Sequence, residues 1–129
     1  MDINELIKIS ESAQKFSYSP YSHITVGAAL LTKSGKVYTG ANIENASYGA
    51  TICAERTAFV KALSEGEHDF EAIAITSSLN HETAPCGICR QFMDEFVKDD
   101  FKIILVNKEG EPSVRPFSYF MPDSFRIEN

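Results

Sequence analysis

The fold is decided by two short stretches, Cys53-Ala54-Glu55-Arg56 and Pro85-Cys86-Gly87-Ile88-Cys89, which together carry all three cysteines of this 129-residue chain. The first stretch lies at the start of a helix predicted from about Ile52 to Leu63. The second opens another helix, with Pro85 at its first position. Both helices connect strands that are expected to run parallel, so both begin on the edge of the sheet where parallel strands end. Ligands bind at this edge in open α/β sheets, and the three sulfurs are predicted to meet there.

Four strands are predicted around these helices. They cover Val26–Leu31, Val37–Gly40, Phe70–Thr76 and Ile103–Val106. The first two are expected to form a hairpin, because Lys33-Ser34-Gly35-Lys36 between them is typical of a turn. The element order α-β-β-α-β-α-β then indicates an α/β protein, with one domain over residues 1–129.

The remaining predictions concern helix faces and the end of the chain. A first helix is predicted to begin after Asp2 and to end at Ser17-Tyr18-Ser19-Pro20. The helix that begins at Pro85 is expected to bury Ile88, Phe92 and Phe96, which recur at every fourth position. The tail from Pro112 to Phe125 has little pattern and gives no secondary-structure prediction.

Composition excludes several classes of function. The net charge of −6 and the scattered Lys and Arg residues argue against a protein that binds nucleic acid along its phosphates. The sequence has no apolar run long enough to span a membrane, and its first residues lack the pattern of a signal peptide. An odd number of cysteines also argues against a secreted disulfide framework. A cytoplasmic protein with a small, weakly charged substrate is therefore expected.

The cysteines are candidate zinc ligands. Cys86 and Cys89 share one helix face at i and i+3, and Cys53 begins the neighbouring helix. Helix N-termini lower the pKa of thiols and favour the thiolate, which is the form that binds zinc. A buried cysteine that serves only packing and a redox-active C-x-x-C pair are the alternatives for each motif taken alone. The joint placement of all three favours a metal site.

The number of ligands separates a catalytic from a structural zinc site. A structural site is closed by four protein ligands, whereas a catalytic site keeps one position for water. The chain has no fourth cysteine, and only a histidine could complete a Cys₃His site: His23, His68 or His81. His81 is the nearest of them to Cys86 along the chain. A binding module that is stabilised by zinc and catalyses no reaction therefore remains an alternative to an enzyme.

Glu55 and Arg56 favour the catalytic interpretation. A carboxylate two residues after Cys53 can reach a water on the metal, accept its proton and return the proton to a substrate. An arginine that donates to thiolate sulfurs would withdraw charge from an electron-rich site. Arg56 and Arg90 are both candidates for that role, and an exposed helix arginine is the alternative for each. The order Cys-x-Glu followed by Pro-Cys-x-x-Cys is a signature of zinc deaminases that act on nucleobases.

Several stretches together resemble the cytidine deaminase family, in particular its small homotetrameric branch. They follow the family's order over most of the chain: Pro20-Tyr21-Ser22, Val26–Leu30, Asn42–Tyr48, Cys53–Arg56 and Pro85–Gln91. The resemblance implies a three-layer α/β/α sandwich with a mixed five-stranded sheet. It implies the deamination of cytidine and 2′-deoxycytidine in pyrimidine salvage, by a homotetramer with shared active sites.

The resemblance also assigns roles to individual residues. It implies one zinc ion per subunit on Cys53, Cys86 and Cys89, with Glu55 as the proton shuttle. Asn42 and Glu44 would hold the ribose hydroxyls, and the Ala54 backbone would contact the pyrimidine. Tyr48 would reach towards a neighbouring subunit's site, and Phe125 would pack on the base across the subunit boundary. The expected functional roles thus fall on the nine residues named in this paragraph and on Arg56.

Two departures from the family pattern concern the substrate. Ile24 stands where the family usually has an aromatic residue facing the nucleoside, and Phe120-Met121 precedes Pro122 where paired leucines are commoner. A different cytosine nucleoside of the blasticidin type is therefore an alternative substrate. The pair Asn42 and Glu44 argues against it, because these residues suit a plain ribose. Deamination of a polynucleotide is disfavoured by the acidic chain and by a cysteine before the x-Glu.

Overall fold

The computed structural model describes residues 1–127, and the predicted domain of residues 1–129 extends two residues beyond them. The helices are α1 (Ile3–Ala13), α2 (Ala54–Ser64), α3 (Gly87–Asp94) and α4 (Phe117–Phe120). The strands are β1 (Val26–Thr32), β2 (Val37–Ala41), β3 (Phe70–Ser77), β4 (Lys102–Val106) and β5 (Pro112–Pro116). None of the helices within this described part is long and apolar enough to cross a membrane.

The five strands form one mixed sheet in the order β2-β1-β3-β4-β5. Only the β3–β4 pair is parallel, and the other three pairs are antiparallel. β2, β3 and β4 run in the same direction, as the sequence predicted. However, β1 lies between β2 and β3 and runs against both. The predicted mixed five-stranded sheet is confirmed.

Helices cover both faces of this sheet. Neighbouring residues of a strand point to opposite faces, so the apolar β1 supplies two cores. Ala28 and Leu30 face the layer of α2 and α3, whereas Ala29 and Leu31 face α1. The protein is therefore a three-layer α/β/α sandwich, with the site-bearing helices α2 and α3 together on one face.

Gly40 of β2 allows α2 to lie directly on the sheet. A Cβ atom at this position would overlap the Ala54 carbonyl oxygen and would come within 2.6 Å of the Ala58 nitrogen. Contacts this short are forbidden, and a backbone carbonyl cannot move aside as a flexible side chain can. The distance between the first turn of α2 and the sheet is therefore set by direct contact with the backbone of Gly40.

Both site-bearing helices begin two residues later than predicted. Ile52 is extended, because its backbone pairs with Ile43 through two hydrogen bonds of 2.9 Å, and α2 starts only at Ala54. Pro85 precedes an extended Cys86, and α3 starts at Gly87. Cys53 and Cys86 are therefore the N-cap residues of α2 and α3, and of the three cysteines only Cys89 lies in the first turn of a helix.

The predicted buried face of α3 was wrong in part. Ile88 is 65% exposed and Phe96 is 37% exposed, whereas Phe92 is partly buried and packs against the core. The buried positions are instead Cys89, Met93 and Val97, which lie one residue further along at the same spacing. The helix is turned so that Cys89 points inward, and this rotation carries Ile88 outward.

The tail contains more structure than its sequence suggested. β5 pairs with β4 along its whole length, with Ser113 opposite Leu105 and Arg115 opposite Ile103. The short helix α4 then buries Phe117 and Phe120 in the core beneath α2 and α3. Edge position explains the weak pattern, because the outer strand of a sheet alternates between half-buried and exposed residues.

Candidate active site

Three cysteine sulfurs lie together where α2 and α3 begin. Cys53 is the N-cap residue of α2, Cys86 is the N-cap residue of α3, and Cys89 lies in the first turn of α3. The Sγ atoms of Cys53 and Cys86 are 3.6 Å apart, and those of Cys86 and Cys89 are 3.5 Å apart. Sulfurs that share a tetrahedral zinc ion at about 2.3 Å are separated by about 3.8 Å. The cluster therefore fits a single zinc ion without rearrangement.

The surroundings of the cluster favour thiolate. A hydrogen bond from the Cys89 thiol lowers the pKa of Cys53 to about 5, and Arg56 adds to the effect. Cys89 keeps the shared proton, so its own pKa is raised above the usual value. One anionic sulfur is thus favoured in the protein itself, which suits the binding of a soft divalent metal ion.

One coordination position of this cluster is open. Across residues 1–127, no histidine, aspartate or glutamate joins the three sulfurs as a ligand atom within 4.8 Å of all of them. His81, the candidate for a closed site, lines a separate cavity of about 410 Å³ beside Glu11 and Thr76. Its Nδ1 atom contacts the Glu82 carbonyl at 2.8 Å. The described residues thus offer three sulfur ligands to one ion, which is the number of protein ligands in a catalytic zinc site.

Glu55 is a buried carboxyl group beside the sulfurs. It lies in the first turn of α2, is only 4% exposed and faces Cys53 and Cys89. Burial is the main cause that raises the pKa of Glu55 to about 7, because a charged carboxylate loses its hydration there. A group with this pKa exchanges protons readily at neutral pH, which is what a general acid and base requires.

Arg56 contacts the cluster, whereas Arg90 does not. The Arg56 Nη2 atom donates to the Thr51 carbonyl at 3.1 Å and lies 3.9 Å from the Cys53 sulfur. Arg90 donates to the carbonyls of Pro85 at 2.7 Å and Phe120 at 3.0 Å, and so ties α3 to the tail. Of the two predicted candidates, only Arg56 is placed to withdraw charge from a thiolate.

Asn42 is buried and nearly saturated with hydrogen bonds. Its Oδ1 atom accepts from the Ser17 hydroxyl at 2.5 Å and from the Val26 backbone at 2.9 Å, and its Nδ2 atom donates to the Ile24 carbonyl at 2.9 Å. Since the amide oxygen already has two donors, one N–H remains for a ligand. Asn42 can therefore only donate to a ligand, and the Val26 contact fixes which way the amide points.

Glu44 is held by the loop that carries Tyr21 and Ser22. Its Oε1 atom accepts from the backbone N–H groups of both residues, at 3.0 and 3.1 Å, and its Oε2 atom accepts from the Ser22 hydroxyl at 2.5 Å. The Ser22 hydrogen bond is the main cause that lowers the pKa of Glu44. The carboxylate lines an open cavity of about 390 Å³ together with Asn45, Tyr48, Thr51 and the loop.

The aromatic residues predicted to meet the substrate are exposed in the single chain. Tyr48 is 75% exposed and packs edge-on against Tyr21, with ring centroids 6.0 Å apart. Phe125 is 69% exposed, whereas Ala54 at the start of α2 is fully buried. Rings this exposed are available to a ligand or a second chain. The roles of these side chains in binding stay predictions.

The family of the chain follows from comparison with known proteins. The family model described as "Cytidine and deoxycytidylate deaminase zinc-binding region" matches residues 1–105, which include all three cysteines and Glu55. The chain belongs to this deaminase family. The resemblance that the motifs indicated is therefore confirmed, and so is the predicted zinc-binding character of the fold.

Full-length relatives agree with this assignment to the deaminase family. A cytidine deaminase of Halalkalibacterium halodurans is 48% identical over 129 residues, covering 100% of this chain and 98% of the relative. A probable cytidine deaminase of Dictyostelium discoideum is 47% identical, covering 99% of this chain and 86% of the relative. The crystal structure of the Burkholderia pseudomallei cytidine deaminase matches with 43% identity and a TM-score of 0.92, covering 97% of this chain and 100% of that one.

Sequence analysis missed the side chains that hold two of the predicted site residues. Ser17 donates to the Asn42 amide oxygen, and Ser22 donates to the Glu44 carboxylate. These contacts join residues 25 and 22 positions apart. Serines near a proline are typical of turns, so no local pattern distinguishes them as positioning residues. Only the resemblance of Pro20-Tyr21-Ser22 to the family drew attention to this loop.

Proposed function

We propose that this protein catalyses the hydrolytic deamination of cytidine and 2′-deoxycytidine to uridine and 2′-deoxyuridine, with release of ammonia. One observation carries the proposal: a buried carboxyl group, Glu55, faces a cluster of three cysteine sulfurs that has an open fourth position. A carboxyl group that titrates near neutral pH beside an open metal position is suited to activating water. The cytidine deaminases similar to this chain over its whole length support the choice of substrate.

The metal is assigned to three ligands. Cys53, Cys86 and Cys89 hold one zinc ion per subunit, and Arg56 draws charge from the Cys53 sulfur. When bound, zinc supplies a Lewis acid that lowers the pKa of a coordinated water to a value near neutrality. The helix N-termini and the arginine offset the negative charge of the thiolates, which would otherwise weaken that effect.

Glu55 moves the protons of the reaction. It accepts a proton from the attacking water and delivers it to N3 of the pyrimidine as the C4–O bond forms. Glu55 then takes the proton of the new C4 hydroxyl group and transfers it to the amino group, so that the C4–N bond breaks and ammonia leaves. A pKa of about 7 lets the same group act first as base and then as acid.

The nucleoside is held by residues outside the metal cluster. Asn42 donates its remaining N–H to one ribose hydroxyl, and Glu44 accepts from a hydroxyl with the free capacity of its carboxylate. The backbone at Ala54 contacts the pyrimidine, and Phe125 packs on the base across the subunit boundary. Tyr48 completes the site of a neighbouring subunit.

We propose that the protein is a homotetramer with shared active sites. Exposure of 75% for Tyr48 and 69% for Phe125 supports this arrangement, because most of each ring is open to contact with a second chain. We also propose one domain over the whole sequence, a cytoplasmic location and a part in pyrimidine salvage. The net charge of −6 supports a free nucleoside rather than a nucleic acid as substrate.

Ultraviolet absorbance tests the proposal directly. Cytidine, 2′-deoxycytidine and blasticidin S are each incubated with the protein as purified, after removal of zinc by a chelator, and after zinc is restored. We expect loss of cytidine absorbance that stops on chelation and returns with zinc. Turnover that survives complete removal of the metal would contradict the mechanism. Turnover of blasticidin S alone would instead assign a different substrate.

A further inference from the structure

The segment around Phe125 is attached to α3 by several polar contacts. Arg126 donates to both carboxylate oxygens of Asp94, from Nε at 2.9 Å and from Nη2 at 2.8 Å. Gln91 Nε2 donates to the Phe125 carbonyl at 3.0 Å. Arg126, next to Phe125, therefore binds the Asp94 carboxylate, and Phe125 itself is held through its backbone.

Asp94 is a buried acid in the last turn of α3. The residue is 4% exposed, whereas the Arg126 side chain is half exposed. A buried carboxylate is costly unless it is paired and hydrogen-bonded, and a fork of two parallel bonds from arginine satisfies it well. Arg126 of the tail is its hydrogen-bond partner. This contact assigns Asp94 to the attachment of the tail.

This attachment determines where the Phe125 ring can be. The ring is 69% exposed, so its position depends on its backbone anchors rather than on packing within the chain. The anchors, Gln91 and Asp94, belong to the same helix that carries Cys86 at its N-cap and Cys89 in its first turn. One rigid element thus fixes both the metal ligands and the segment that presents Phe125.

We propose that Asp94 and Arg126 are positioning residues for substrate binding, which hold Phe125 in place for the base that it contacts across the subunit boundary. The inference rests on the proposed function, in which Phe125 packs on the base. It adds a residue pair, Asp94 and Arg126, that touches neither the nucleoside nor the metal. Loss of the pair leaves the chemistry of Glu55 and the cysteines intact but lets the Phe125 segment move.

A double-mutant cycle in the zinc-loaded, full-length protein tests the inference. Steady-state kinetics with cytidine are measured for wild type, Arg126→Ala, Phe125→Ala and the double variant, with zinc content and unfolding temperature for each. Arg126→Ala should raise KM about fivefold with little change in kcat, because base binding is weakened while the reacting groups stay in place. The same substitution should change KM by less than about twofold when Phe125 is already alanine.

Two further variants keep the result interpretable. Arg126→Lys retains the charge but not the fork, and we expect a KM between those of wild type and Arg126→Ala. Lys36→Ala removes a cation from its ion pair with Glu67, next to β2, and should leave KM unchanged. If Arg126→Ala lowers the stability of the protein, the KM of Arg126→Lys and the KM values of the double-mutant cycle still report on the position of Phe125.

The outcomes separate this inference from the proposed function. A KM effect of Arg126→Ala that persists in full without the Phe125 ring, an effect on zinc content, or no effect on KM would overturn the positioning role. If Phe125→Ala itself leaves KM unchanged, the assignment of Phe125 is wrong and the inference falls with it, although deamination by Glu55 still stands. If no variant and no wild-type protein deaminates cytidine, the proposed function has failed instead.

Discussion

The cysteine cluster and the proposed nucleoside-binding surface of this protein are built in different ways. The cluster comes from two helix starts that face the core, with Cys89 and Glu55 buried. The nucleoside surface comes from loops and the tail, where Tyr48 and Phe125 project into solvent. The first depends on the fold of one chain, whereas the second is proposed to be completed by a neighbour. Substitutions should therefore affect kcat at the cluster and KM at the surface.

Removing the proton shuttle should give the largest effect. Glu55→Gln keeps the size of the side chain but cannot exchange a proton, so we expect kcat to fall about a thousandfold with zinc still bound. Zinc per chain and kcat with cytidine are the measurements. Glu65→Gln, at the C-cap of the same helix, is the matched control and should behave as wild type. Near-normal turnover in Glu55→Gln would remove Glu55 from the mechanism.

Arg56 should give the next largest effect. Arg56→Gln removes the guanidinium from the Cys53 sulfur, which leaves more negative charge on the metal site and should lower kcat about thirtyfold. Arg56→Lys keeps the charge without the geometry and should recover part of the loss. The measurement is kcat together with the rate at which a chelator removes zinc. Equal activity of all three proteins would mean that the arginine only supports the Thr51 loop.

A substitution of Glu44 tests the proposed nucleoside-binding surface. Glu44→Gln should raise KM for cytidine about tenfold with kcat nearly unchanged, because an acceptor of ribose hydroxyls becomes a poorer one. The ratio of KM for 2′,3′-dideoxycytidine to KM for cytidine should be large in wild type and smaller in the variant. A variant that weakens both nucleosides equally would show that Glu44 acts only by holding Tyr21 and Ser22.

Ser17 should give the smallest effect of this series. Ser17→Ala removes one of two donors to the Asn42 oxygen while the Val26 contact keeps the amide in place. We expect KM for cytidine to rise about twofold and kcat and zinc content to stay as in wild type. Ser12→Ala on the exposed side of α1 serves as the control. A large fall in kcat would mean that the loop and the metal cluster are coupled.

The sequence predicted the cluster better than the surface for a physical reason. Cys86 and Cys89 share a helix face by spacing alone, and the strand order brings Cys53 beside them. The exact starts of the helices were wrong, because the pairing of Ile52 with Ile43 is a contact between distant residues that no local pattern shows. The face of α3 was wrong in part, since Cys89 points inward and Ile88 outward, while Phe92 packs against the core.

The surface depends on contacts that span the chain. The bonds from Ser17 to Asn42 and from Arg126 to Asp94 link residues 25 and 32 positions apart. Each partner alone has an ordinary local explanation as a turn residue or a surface charge. The family resemblance named Asn42, Glu44, Tyr48 and Phe125, but it gave no reason for the way in which they are held.

The bare backbone at Gly40 has a further consequence for how this protein can vary. Side chains between a helix and a sheet can repack when one of them changes size, so most such gaps adapt to substitution. Beneath the first turn of α2 there is no such layer, because Gly40 lies directly under Ala54 and Ala58. Mutations elsewhere in the core can be absorbed gradually, whereas any side chain at position 40 lifts the helix that carries Glu55. Substitutions at position 40 therefore cannot change the position of Glu55 in small steps during evolution.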